Sequence, residues 1–159
     1  MKNLVKRKTM VRILLCVIWL GLIFYNGTRQ GEISQRSSKK IINAASEFVK
    51  PSLNKLEKTG LKFSDVNFYV RKNAHFFEYL ISSIFLCSLI REFKMYKGNE
   101  IFLLLFLLLF FPVIDEFIQK YIPGRSSSVL DIMIDFSGGI LGMLIFNIRC
   151  KIHKKKVAV

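Results

Sequence analysis

Four apolar runs divide this chain, at about 11–26, 74–91, 101–119 and 129–148, with polar and basic stretches between them. A bilayer-crossing helix needs about 20 such residues, with a range near 17–25, so the last three runs qualify and the first is slightly short. The pattern predicts an all-α, polytopic membrane protein with about four transmembrane helices, forming one domain over 1–159. The first run follows Lys2, Lys6, Arg7 and Lys8, as the apolar core of a signal peptide would. Its exit, Tyr25-Asn26-Gly27-Thr28, lacks the small-residue pattern of a cleavage site, which favours an uncleaved span. Arg12 is then expected to reach toward the headgroups. In the long loop from 27 to 73, Ile41, Ile42, Ala45, Phe48 and Val49 recur at helical spacing opposite Lys39, Lys40, Glu47 and Lys50. After Pro51, Leu53 and Leu56 begin a second stripe. Amphipathic helices lying on the outer membrane surface fit this pattern, and so does packing against the tops of the spans.

Charge adds an orientation. The chain has 159 residues, is 52% hydrophobic and carries a formal net charge of +14. Such a charge invites a nucleic-acid reading, but no recognition motif accompanies it and the basic residues sit between apolar runs. That distribution suits contact with anionic membrane lipids. Basic residues crowd the amino-terminal segment, the short 92–100 connection and the tail, whereas the connection between the last two spans has only Lys120 and Arg125. The positive-inside rule therefore places both termini in the cytoplasm; the basic 27–73 loop is discounted because long segments translocate with less regard to charge. Cys16 and Cys87 fall inside apolar runs and Cys150 ends the last one, which argues for thiols rather than a disulfide framework.

With that orientation, the ionisable residues within or beside the spans gather in the outer half of the bilayer. The second span starts with Arg71, Lys72, His75 and Glu78, the third ends with Asp115, Glu116 and Gln119, and the fourth starts with Asp131 and Asp135. A charge at bilayer depth costs about 2.5–3.5 kcal/mol on insertion scales, so each needs a partner, a cavity or a purpose. Arg71, His75 and Glu78 share a helical face by spacing. Asp131 and Asp135 continue into the small-xxx-small pair Gly138 and Gly142, which turns their stripe toward a neighbouring helix. Ser128 suits the N-cap of the fourth span, and a capping-box acid would then fall at Asp131; Asp135, about 6 Å deeper, is beyond a cap's reach. Pro112 is expected to kink the third span, either to aim Asp115 and Glu116 or simply for packing. Pro123-Gly124 suits a type II turn. Arg71, Lys72 and Arg125 face five carboxylates, leaving two in surplus. Surplus buried carboxylates take up a proton, bind a cation or accept a cationic ligand group. The expected site is an outward pocket with Arg71–Glu78 and Arg125–carboxylate pairs.

Arg71-Lys72-x-x-His75-Phe76-x-Glu78-Tyr79, Asp115-Glu116-x-x-Gln119, Ile122-Pro123-Gly124-Arg125-x-x-Ser128-x-x-Asp131 and Asp135-x-x-Gly138 together resemble the VanZ-like family, over about residues 10–148. The resemblance implies a small integral membrane protein of the bacterial cell membrane. The family takes its name from a protein associated with resistance to the glycopeptide antibiotic teicoplanin. Three functions follow as expectations. In the first, a cell-envelope protein uses Arg71, Lys72, His75, Glu78, Asp115, Glu116, Gln119, Arg125, Asp131 and Asp135 to bind a lipid-linked envelope precursor or a lipophilic glycopeptide. Guanidinium groups suit the phosphate oxygens of such a precursor. In the second, an intramembrane enzyme acts on a lipid headgroup with His75, Glu78, Asp115, Glu116 and Asp135 as acid–base candidates; a divalent cation is compatible with these residues but not required. No H-E-x-x-H, C-x-x-C or G-x-S-x-G stretch accompanies them. In the third, the polar cluster is interhelical glue, with bonds worth only about 0.6–2 kcal/mol each.

Overall fold

The computed structural model describes residues 2–29, 36, 40 and 63–157. Helix α1 runs Lys2–Thr28, α2 Phe63–Ile90, α3 Lys97–Gln119 and α4 Val129–Val157, with a single 3-10 turn at Arg91–Phe93. Within them lie four segments long and apolar enough to cross a membrane: Arg7–Thr28, Phe68–Phe93, Lys97–Gln119 and Val129–His153. At 1.5 Å per residue even the shortest covers about 33 Å, enough for a hydrocarbon core of about 30 Å. The protein is therefore an all-α, multi-pass membrane protein. The helices exceed their apolar runs, because a helix continues as long as its backbone hydrogen bonds do. So α2 begins well before residue 74 and carries Arg71 and Lys72 within it, and α4 continues through Arg149 and Lys151. The stripes at Ile41–Val49 and from Leu53 lie outside the described residues.

The contacts fix the directions of the helices. Between α2 and α4 the partners rise together along both chains, from Lys72 with Asp131, through Phe76 beside Gly138 and Leu80 beside Gly142, to Arg91 with Asn147. Those two helices run parallel. Between α1 and α2 the partners move in opposite senses, Asn26 with Glu78, Trp19 with Phe85 and Arg12 with Glu92, so that pair is antiparallel. The bundle goes up, down, up, down. Contact between α2 and α4 dominates, because a Cβ on Gly138 would collide with the Phe76 carbonyl and one on Gly142 with the Leu80 carbonyl and Ser83. Only glycine lets the backbones come so close.

Cys16, Leu86, Cys87, Ile90, Leu104 and Leu108 form the apolar core, while Leu14, Val17, Phe102, Phe106 and Leu144 project outward as a membrane protein's lipid-facing side chains do. With Cys16 and Ile23 buried, α1 is an integral part of the bundle. On α1, Arg12 pairs with Glu92 at the 3-10 turn. The three cysteines are free thiols. Pro112 is buried and α3 continues through it to Gln119.

Candidate functional site

The directions just described put the end of α1, the first membrane turns of α2, the end of α3 and the start of α4 at one end of the bundle. Asp131 and Asp135 share one stripe of α4, and α2 meets that stripe with residues at the same spacing. Lys72 forms an ion pair with Asp131. One turn further in, His75 Nδ1 lies 3.8 Å from Asp135 Oδ2, too far for a hydrogen bond.

The connection between α3 and α4 is a turn in which Arg125 N–H donates to the Ile122 carbonyl at 3.1 Å and Gly124 has φ of 74°. This is the type II geometry that Pro123-Gly124 dictates. Ser128 then caps α4, its Oγ accepting from Leu130 N–H at 3.2 Å. The acid that complements this cap comes from a different helix: Glu116 Oε2 accepts the Ser128 backbone N–H at 2.8 Å. Asp131, at the capping-box position, is held by Lys72 instead. A cap thus also ties α3 to α4.

Arg71, Lys72, His75, Gln119, Gly124, Arg125, Ser126 and Asp131 line a cavity of about 180 Å³. Beneath it, one turn inward from Gln119 and Asp131 respectively, lie Asp115 and Asp135, both with 0% of their surface exposed. Gln119 Nε2 donates to Asp115 Oδ2 at 2.9 Å. Asp115 Oδ1 fills the space beside Gly27 where any side chain on α1 would have to sit. Several buried atoms have no hydrogen-bond partner among the described residues: Asp115 Oδ1, Glu116 Oε1, both oxygens of Asp135, His75 Nδ1 and the Tyr79 hydroxyl. Buried polar atoms are nearly always bonded, so this concentration at one place requires an explanation. One donor atom each from His75, Asp115 and Asp135 lie within 4.8 Å of one another, close enough to share a cation.

Two expected pairs do not form. Glu78 turns toward α1, where Asn26 Nδ2 donates to its Oε1 at 3.1 Å; Arg71, almost two turns away on the same helix, lines the cavity instead. Arg125 donates through Nε to the Arg29 carbonyl at 2.9 Å and through Nη2 to the Asn26 carbonyl at 2.7 Å, so it fastens the end of α1 rather than a carboxylate. Burial pulls the Arg125 guanidinium below its usual pKa, while nearby Asp115, Glu116 and Glu78 favour its charged form against the opposing charge of Arg71. Asn26, Gly27 and Trp19, whose Nε1 donates to the Glu78 carbonyl at 2.9 Å, belong to the site's α1 wall and were not among the expected residues. Asn26 and Gly27 had one sequence signal, a polar and a small residue ending an apolar run; Trp19, inside that run, had none.

A family model described as VanZ/LLP1 matches residues 12–150, a span that includes every residue of this cluster. No curated protein and no solved structure matches the chain.

Proposed function

The chain belongs to the VanZ/LLP1 family, and from that premise we propose that it is a bacterial cell-envelope protein whose pocket takes the anionic headgroup of a lipid-linked precursor. The observation that carries this reading is the state of Arg125. Its hydrogen-bond partners are neutral carbonyls, so the guanidinium is held rigidly without a direct carboxylate pair among the described residues, although Asp115, Glu116 and Glu78 lie near enough to favour its charge. A guanidinium has five N–H donors, and two of Arg125's go to those carbonyls. The remaining donors and Arg71 suit phosphate oxygens at the pocket wall. Lys72 is engaged with Asp131 and serves to place that wall.

The basic amino-terminal and tail segments belong at the cytoplasmic face, which turns this pocket outward. There it meets lipid-linked precursors and lipophilic glycopeptides, and by holding the precursor it alters how far a drug such as teicoplanin reaches its target. A deletion strain complemented with wild type, Arg71→Gln, Arg125→Gln or Asp135→Asn tests this. Glycopeptide susceptibility and the precursor pool should change on deletion, and the variants should fail to restore them. Unchanged susceptibility together with an unchanged precursor pool in the deletion strain would reject the reading.

One observation favours an enzyme acting on the same headgroup. His75, which lines the cavity, and the fully buried Asp135 are adjacent and unbonded to each other, an arrangement suited to proton transfer rather than to holding helices together. Interhelical glue would have its polar atoms paired, and Asp135 has neither oxygen paired among the described residues. Release of phosphate or of a headgroup from polyprenyl or phospholipid phosphates by the purified protein separates catalysis from binding.

A further inference from the structure

We propose that His75, Asp115 and Asp135 hold a single divalent transition-metal ion, of the Mn²⁺ or Zn²⁺ class, between α2, α3 and α4. Metal–nitrogen and metal–oxygen bonds of about 2.0–2.2 Å put two ligands of one ion no more than about 4.2–4.4 Å apart. The 3.8 Å between His75 Nδ1 and Asp135 Oδ2 is too long for a hydrogen bond and fits two ligands of one ion. All three donors lie within 4.8 Å of one another, so small side-chain rotations complete the set.

Burial supplies the independent argument. Asp135 is fully enclosed with both oxygens unpartnered among the described residues, and Asp115 Oδ1 is in the same condition. Two carboxylates balance the charge of one divalent ion, which removes the cost of leaving them bare at membrane depth. Gln119 holds the other oxygen of Asp115 and so fixes the plane of that carboxylate. One imidazole nitrogen with two carboxylate oxygens suits Mn²⁺ or Zn²⁺ better than Ca²⁺ or Mg²⁺, which favour all-oxygen sets. Three protein donors leave positions for water or, on the reading above, for a phosphate oxygen from the cavity; that last role rests on the proposed function.

The chain has two histidines, which gives a direct readout. His153 lies on α4 eighteen residues beyond Asp135, about 27 Å along the helix. Full-length protein in nanodiscs, stripped with chelator and labelled at its histidines, is titrated with MnCl₂. One ion per chain should bind, and the His75 ring resonances should broaden away while those of His153 persist. Zinc should bind in the same ratio by elemental analysis and compete with Mn²⁺. In Asp115→Asn and Asp135→Asn, affinity should fall by at least about 10–100-fold, the loss typical of removing even an outer partner of a metal ligand. Less than stoichiometric binding, equal broadening of both histidines or undiminished affinity in folded variants would overturn the site. The wild-type titration decides the matter if a variant does not fold. Metal bound without any affinity for dodecyl phosphate keeps the cation site and removes the headgroup reading; dodecyl phosphate bound without metal does the reverse.

Discussion

Arg125 shows how one side chain can both build a site and remain available to it. Its two bonds to the Asn26 and Arg29 carbonyls fasten the end of α1 to the turn between α3 and α4. Lysine keeps the charge but offers a single ammonium in place of the planar fork, so Arg125→Lys should lower stability by about 1–3 kcal/mol in detergent-solubilised unfolding. Headgroup affinity should fall as well, and unchanged stability would show that the α1 anchor is unimportant. Gly27 is the complementary case. A methyl there takes the position of Asp115 Oδ1, so Gly27→Ala should displace that carboxylate and weaken Mn²⁺ binding, measured by the same titration, in a protein that still folds.

Between elements, the parallel contact of α2 with α4 rests on glycine in a way that the site inherits. Gly142 faces the Leu80 carbonyl, backbone that has nowhere to move, whereas Gly21 on α1 has open space around its Cβ position. Gly142→Val should therefore force the two helices apart and cost about 1–3 kcal/mol, as overpacking does. Gly21→Val should have little effect in the same thermal unfolding assay. Because His75 and Asp135 sit on these same two helices, Gly142→Val should also weaken metal binding from two turns away. The cap at Ser128 works across elements too, since its backbone N–H is satisfied by Glu116 of α3. That bond ties the depth of Asp115 to the depth of Asp135.

For the whole molecule, four alternating helices bring the start of α1 and the end of α4 to one end of the bundle, and the cavity to the other. One end carries Arg12, Arg91 and Arg149; the other carries the buried acids. The orientation across the membrane is open to direct measurement. On a background with its three cysteines replaced, Ser126→Cys should react with an impermeant thiol reagent on intact cells. His153→Cys should react only after permeabilisation. Reaction of His153→Cys on intact cells would invert the molecule and point the pocket toward the cytoplasm.

By itself the amino-acid sequence determined that helices cross the membrane, roughly where, and which ionisable residues have to be accommodated. Hydropathy is additive along a segment and helical spacing is local, so neither needs knowledge of a neighbour. The turn at Pro123-Gly124 and the cap at Ser128 were legible for the same reason. Partner choice was not. Lys72 rather than Arg71 takes an acid, Glu78 goes to Asn26, Glu116 goes to the cap, and Gly27 makes room for Asp115. Each depends on how far one helix is rotated and slid against another. A hydrogen bond discriminates within a few tenths of an ångström, far finer than the turn-by-turn resolution of a periodic pattern. Counting charges could show that carboxylates were in surplus, but only the packed bundle determined that Asp115 Oδ1 and both oxygens of Asp135 lie beside His75 without a hydrogen-bond partner among the described residues.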